Sequence, residues 1–164
     1  MNERVREYLT EAYKFAKANS TDVSTQNGSI LIDQLGNMVA WGANKFPRGV
    51  IETPERLQRP AKYLYVVHAE DASIANAALN GVKTEGLTMV GTWVACNECA
   101  KPIIEAGIKR VIGHKKTFDA SPEHWRGPIR IAMEMFKEAG VSYELWEGDI
   151  GGIEVLFDGQ PFRP

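Results

Sequence analysis

Apolar residues at Val5, Leu9, Ala12 and Ala16 recur at helical spacing, with Glu3, Arg6, Glu11 and Lys14 mostly on other faces. The pattern predicts an amphipathic helix over residues 3–18, ended by Ser20-Thr21-Asp22. Residues 28–32 and 38–41 are short β-branched or aromatic runs around the turn-rich 33–36, which reads as a hairpin. Residues 43–62 hold Pro47, Gly49, Pro54 and Pro60 among many charges and read as a long loop, a feature often tied to function. The Ala-, Ile- and Leu-rich stretch 69–79 predicts a buried helix stopped by Asn80-Gly81. Residues 87–94 are too apolar for a half-exposed strand and suit a central one. A short helix from 97 to about 106, a strand at 110–114, a helix containing 129–136 and a strand at 141–146 follow.

The order α-β-β-α-β-α-β-α-β predicts a three-layer α/β/α sandwich on a mixed five-stranded sheet, with crossover helices joining its parallel strands. There is no internal repeat, linker or low-complexity segment, so 1–164 reads as one domain. Its last part, 149–164, reads as a C-terminal extension with one weak strand candidate at 153–157.

Composition narrows the class. With 44% hydrophobic and 24% charged residues, the chain is expected to be globular rather than disordered. No apolar run reaches bilayer-spanning length, and the charged N-terminal stretch has no signal-peptide block, so no membrane association is expected. Nineteen Lys and Arg against 21 Asp and Glu leave a formal charge of −2, without the basic footprint of a long nucleic-acid binder. A cytoplasmic small-molecule enzyme or an interaction module remains.

The chain has two cysteines, both in Cys96-Asn97-Glu98-Cys99, where a buried strand turns into a helix. Side chains three residues apart at a helix N-terminus converge on one point, where free N–H groups and the dipole favour thiolates. His68-Ala69-Glu70 occupies the same kind of place, between the apolar Tyr65-Val66-Val67 and the Ala-rich helix. One imidazole and two thiolates suit one catalytic Zn2+ with its fourth position left to water. Two thiolates offset the ion's charge, so a nearby base is needed, and Glu70 is available. HxE with CxxC is the zinc-deaminase signature, although Ala95 stands where that signature carries proline. Two alternatives remain open: a redox CxxC, which gives His68 and Glu70 no role, and a closed structural zinc site completed by His114 or His124.

The sequence resembles the deoxycytidylate (dCMP) deaminase family of the cytidine deaminase-like fold. The motifs are Ser20-Thr21-Asp22, Asn44-Lys45-Phe46-Pro47-Arg48-Gly49-Val50, residues 62–70 ending in His68-Ala69-Glu70, Cys96-Asn97-Glu98-Cys99-Ala100-Lys101, and residues 104–108. The resemblance implies zinc held by His68, Cys96 and Cys99, proton transfer by Glu70, and hydrolysis of dCMP to dUMP with loss of ammonia. It implies a substrate site including Asn44, Ala69, Arg48 and Phe118, with Trp125 covering the site or capping its helix. Homo-oligomerisation, often as a hexamer, and control by dCTP and dTTP are further family traits. Departures concern substrate: Thr21 stands where many relatives carry lysine, Ala72 where they carry asparagine, and Asn27 where they carry a small apolar residue. Without that lysine, the loop around Arg48 is the expected phosphate contact. The same chemistry on another aminated base, nucleoside or modified nucleotide is the first alternative, and a structural-zinc module without turnover the second.

Overall fold

A computed structural model of the chain describes residues 2–164. Helix α1 (Asn2–Asn19) buries Val5, Leu9, Ala12, Tyr13 and Ala16, one stripe of the 3.6-residue period. The stripe packs on one face of a five-stranded sheet formed by β1 (Gly28–Ile32), β2 (Met38–Ala43), β3 (Thr88–Gly91), β4 (Arg110–His114) and β5 (Ser142–Trp146). The strand order is β2-β1-β3-β4-β5. Strand β1 runs antiparallel to β2 and β3, whereas β3, β4 and β5 are parallel. The sheet is therefore mixed, as the element order predicts.

Alternation along the strands divides the core. Ile30, Ile32, Val90 and Ile112 face α1, while Leu31, Met89 and Val111 face the opposite layer. That layer holds α4 (Ala69–Leu79), α5 (Asn97–Glu105) and α7 (Glu123–Glu138), which bury Ala77, Ile103, Ala132 and Phe136 against it. Two of these helices, α4 and α5, begin at the candidate chemistry. Strand β2 lies directly on the first turns of α4. A Cβ at Gly42 would meet Ala69 O at 2.1 Å and Ser73 N at 2.3 Å, so only glycine permits this approach.

Several elements differ from expectation. The long loop contains α2 (Pro54–Leu57), where the Thr53 side chain accepts the Arg56 N–H, and leads into α3 (Lys62–Tyr65). Residues 65–67 do not form the strand expected before His68. Val67 instead makes one antiparallel bridge with Lys45, and α3 occupies the preceding turn. Helix α7 starts six residues before the apolar stretch that announces it. Pro128 lies inside the helix, and Trp125 and Ile129 pack on either side of it.

Helix α6 (Lys115–Asp119) is an unforeseen single turn after β4. The weak strand candidate becomes β6 (Val155–Phe157), paired with β7 (Gln160–Phe162) in a separate hairpin. Asp158 and Gly159 supply its turn at φ 47° and 77°, the left-handed pair that an Asp-Gly hairpin requires. Among the described residues, no helix is long and apolar enough to cross a membrane.

Candidate active site

His68 immediately precedes α4 and Cys96 immediately precedes α5, both with extended backbone. Neither side chain caps its own helix, so both remain free to converge. Cys99 lies in the first turn of α5, fully buried. Ala95, in place of the signature proline, is buried in the core, so packing holds the turn that proline would stiffen.

The three ligand atoms form a triangle. Cys96 Sγ lies 3.7 Å from Cys99 Sγ and 3.6 Å from His68 Nδ1, and Cys99 Sγ lies 3.1 Å from His68 Nδ1. Zn–S bonds of about 2.3 Å and Zn–N bonds of about 2.0 Å in a tetrahedron require S···S of about 3.8 Å and N···S of about 3.5 Å. Two edges match and the third is tighter. Among the described residues, the metal-capable group comprises His68, Cys96 and Cys99.

His114 and His124 do not join it. His114 is buried in the core, where its Nδ1 meets the Tyr13 hydroxyl at 2.7 Å and its Nε2 meets Gly148 O at 2.9 Å. The His124 ring lies 5.5 Å from that of Trp125.

Electrostatics at the triangle follow from proximity. A hydrogen bond from Cys99 and a second from His68 pull the Cys96 thiol down to about 4, against burial. The Cys99 thiol moves the other way, well above the ordinary range, through its bond to Cys96 and its burial. The bond to Cys96 lifts His68 to about 9. Burial lifts Glu70 to about 7. Glu70 Oε2 lies 3.7 Å from Cys99 Sγ and stands beside the triangle rather than within it.

Above the triangle opens a cleft. His68, Ala69, Glu70 and Cys96 line it, and Asn44 lines its wall. Asn44 Oδ1 accepts from Ser20 Oγ at 2.6 Å and Asn27 N at 2.8 Å, and Nδ2 donates to Thr25 O at 2.6 Å. Both acceptor sites are thus taken by the loop 20–27, and one Nδ2 proton remains.

Trp125 lines the cleft, with its ring 6.1 Å from His68 and 5.6 Å from Trp93. Tyr63 completes this aromatic wall at 6.3 Å from Trp125. Asn27 also lines the cleft, whereas Ala72 is buried in α4.

Two expected substrate residues lie elsewhere. Arg48 is absent from the cleft lining, because the turn at Pro47–Val50 turns it toward α4, where it donates to Asn76 Oδ1. Phe118 sits on α6 and lines a separate depression with Arg126 and Met133. The cations on the cleft wall are Arg59 and Lys62, which sequence reasoning missed as site residues. Lys62 Nζ is buried against both Asp22 oxygens at 2.9 Å, a contact across 40 residues that local pattern does not encode. Trp93 and Tyr63 were missed too; an aromatic at a strand end or on a loop gives no signal separating a cleft wall from a core.

An imidazole and two thiols at adjacent helix starts, with a free carboxyl beside them in an open cleft, define a zinc-dependent hydrolytic enzyme. The profile for the cytidine and deoxycytidylate deaminase zinc-binding region matches residues 2–115, and the chain belongs to that family. It is 32% identical over 164 residues to the deoxycytidylate deaminase of Mus musculus, covering 96% of this chain and 88% of that one. The Homo sapiens deoxycytidylate deaminase is 31% identical over the same span. Among solved structures, the dCMP deaminase from cyanophage S-TIM5 in complex with dCMP and dUMP superposes with a TM-score of 0.66. That match has 22% identity and covers 88% of this chain and 98% of the other. A Thermotoga maritima bifunctional deaminase/reductase superposes at a TM-score of 0.60 and 19% identity. The fold is thus shared by deaminases of different substrates.

Proposed function

We propose that this chain hydrolyses dCMP to dUMP and ammonia. The observation that carries the reading is the His68–Cys96–Cys99 triangle with Glu70 beside it on the cleft floor. His68, Cys96 and Cys99 would hold one zinc ion, which when bound supplies Lewis acidity for activating water. Glu70 takes a proton from the attacking water and returns it to the leaving amine, so that oxygen replaces nitrogen at C4 and ammonia departs. Ala69, first residue of α4, offers a backbone N–H without an intrahelical partner to the pyrimidine edge. The remaining Asn44 Nδ2 proton is a second donor, and Trp93 and Trp125 limit water access from one side.

Ammonia release from dCMP, deoxycytidine, cytidine, cytosine and aminated purine derivatives tests this. Fastest turnover of dCMP supports the reading. Turnover of another base without turnover of dCMP replaces the substrate, and Asn27 on the cleft wall is the observation that favours that second reading. No release from any substrate would leave a structural-zinc module.

We further infer a homo-oligomer. Ile51, Tyr63 and Leu64 are large apolar side chains exposed on the segment leading to the site, with Leu64 at 85%. Sedimentation velocity measures the assembly, and dCTP or dTTP added to the assay tests effector control. Two free buried thiols fit a reducing compartment such as the cytoplasm.

A further inference from the structure

A nucleotide brings a dianionic phosphate into the cleft, and Thr21 offers no cation for it. Of the two long-chain cations on the cleft wall, Lys62 is already neutralised. Its ammonium is buried between both oxygens of Asp22, which also accepts the Ser24 and Thr25 N–H groups. Withdrawing it would leave a buried carboxylate unpaired.

Arg59 is in a different state. Its side chain is 45% exposed at the rim, and its bonds among the described residues both leave from Nη2. Nη2 donates to Ser24 Oγ at 2.9 Å and to Asp158 Oδ1 at 3.0 Å, so Nη1 and Nε keep their protons for a second partner. A guanidinium fork matches phosphate oxygens two at a time. The pair with Asp158 is exposed on both sides and weak, so it aims the arginine without competing strongly with a dianion.

Asp158 belongs to the turn of the β6–β7 hairpin, and that hairpin is fastened to the cleft wall. Gln26 N donates to Leu156 O at 2.9 Å, Leu156 N to Gln26 Oε1 at 3.0 Å, and Gly159 N to Ser24 O at 2.8 Å. Asp158 N donates to Thr25 Oγ1 at 3.0 Å, and the Phe157 ring meets Trp93 at 5.1 Å. Thr25 and Trp93 both line the cleft.

We propose that Arg59 holds the substrate's 5′-phosphate, aimed by Asp158, and that the C-terminal hairpin is thereby a structural part of the nucleotide site. The inference rests on the nucleotide reading above and deepens it. Calorimetry of the zinc-loaded full chain with dUMP and with deoxyuridine, for wild type, Arg59→Ala and Arg59→Lys, isolates the phosphate contribution. In Arg59→Ala the ratio of dUMP to deoxyuridine affinity falls on the order of 10- to 100-fold, the value of a charge-assisted contact. Arg59→Lys, with charge but no fork, falls between. An unchanged ratio in Arg59→Ala overturns the anchor while leaving the deaminase reading intact. A wild-type protein that binds dUMP no better than deoxyuridine overturns the nucleotide reading itself, and the anchor with it.

Discussion

Glu70 Oε2 lies 3.7 Å from Cys99 Sγ, although 29 residues separate them in the chain. The contact brings a carboxyl that burial has raised to about 7 beside two thiols and an imidazole already gathered in one triangle. Because Glu70 stands outside the triangle, metal holding and proton transfer separate on mutation. Glu70→Gln is expected to retain zinc by elemental analysis while kcat falls about 10²- to 10⁴-fold. A variant with full turnover would remove Glu70 from the proton path.

Cys99 occupies two edges of the triangle and is fully buried. Cys99→Ser is expected to lose bound zinc, and chelation of the wild type is expected to lower its melting temperature. At free zinc about 100 times Kd the ion contributes about 2.7 kcal/mol to stability. Calorimetric scans with and without chelator measure it; coincident melts would argue against a zinc site at these residues.

Asn44 combines a cleft position with three side-chain hydrogen bonds to the loop 20–27. Asn44→Ala strands the Asn27 N–H and the Thr25 carbonyl, with an expected loss of about 2–4 kcal/mol in urea denaturation. The same variant is expected to raise KM for dCMP, since the loop forms the cleft wall. A KM change at unaltered stability would make Asn44 a substrate contact rather than a scaffold.

Gly42 is where β2 meets the first turns of α4. Gly42→Ala places a methyl against backbone on the helix that begins beside His68, and no rotamer relieves it. The expected cost is about 3 kcal/mol, accompanied by weaker zinc retention. Denaturation together with zinc stoichiometry checks both.

His114 supplies a pH dependence remote from the His68–Cys96–Cys99 triangle. Burial lowers its pKa in the folded chain below the ordinary value of about 6.5. Between those two values the unfolded chain binds more protons. The neutral side chain's contribution to stability is therefore complete above about pH 6.5 and is lost as pH falls through the folded value. Denaturation at pH 7.5 and 5.5 is expected to show a smaller difference for His114→Gln than for wild type.

Particular elements show what the chain reveals by itself. The stripe Val5, Leu9, Ala12 and Ala16, the short β-branched or aromatic runs and the stop at Asn80-Gly81 are local patterns, and the elements formed close to where those patterns put them. Asp158-Gly159 was an equally local hairpin signal at a turn that the reading passed over. Residues 65–67 misled for a different reason. An apolar run states that it is buried, not whether it pairs with a sheet, and Val67 forms an isolated bridge with Lys45 instead.

The candidate metal-holding trio was legible because HxE and CxxC are spacings of two and three residues at helix starts, fixed by local geometry. Their convergence across 28 to 31 residues was decided by the parallel strands and crossover helices that set α4 and α5 side by side. The wall of the cleft was decided there too. Arg48 and Arg59 are equally charged loop residues in the sequence; one turns to Asn76 and the other lines the site beside Asp158, 99 residues away. Local order determines which residues are buried and which carry chemistry. Which distant side chains share a volume depends on how the layers pack, and that is a property of the folded whole.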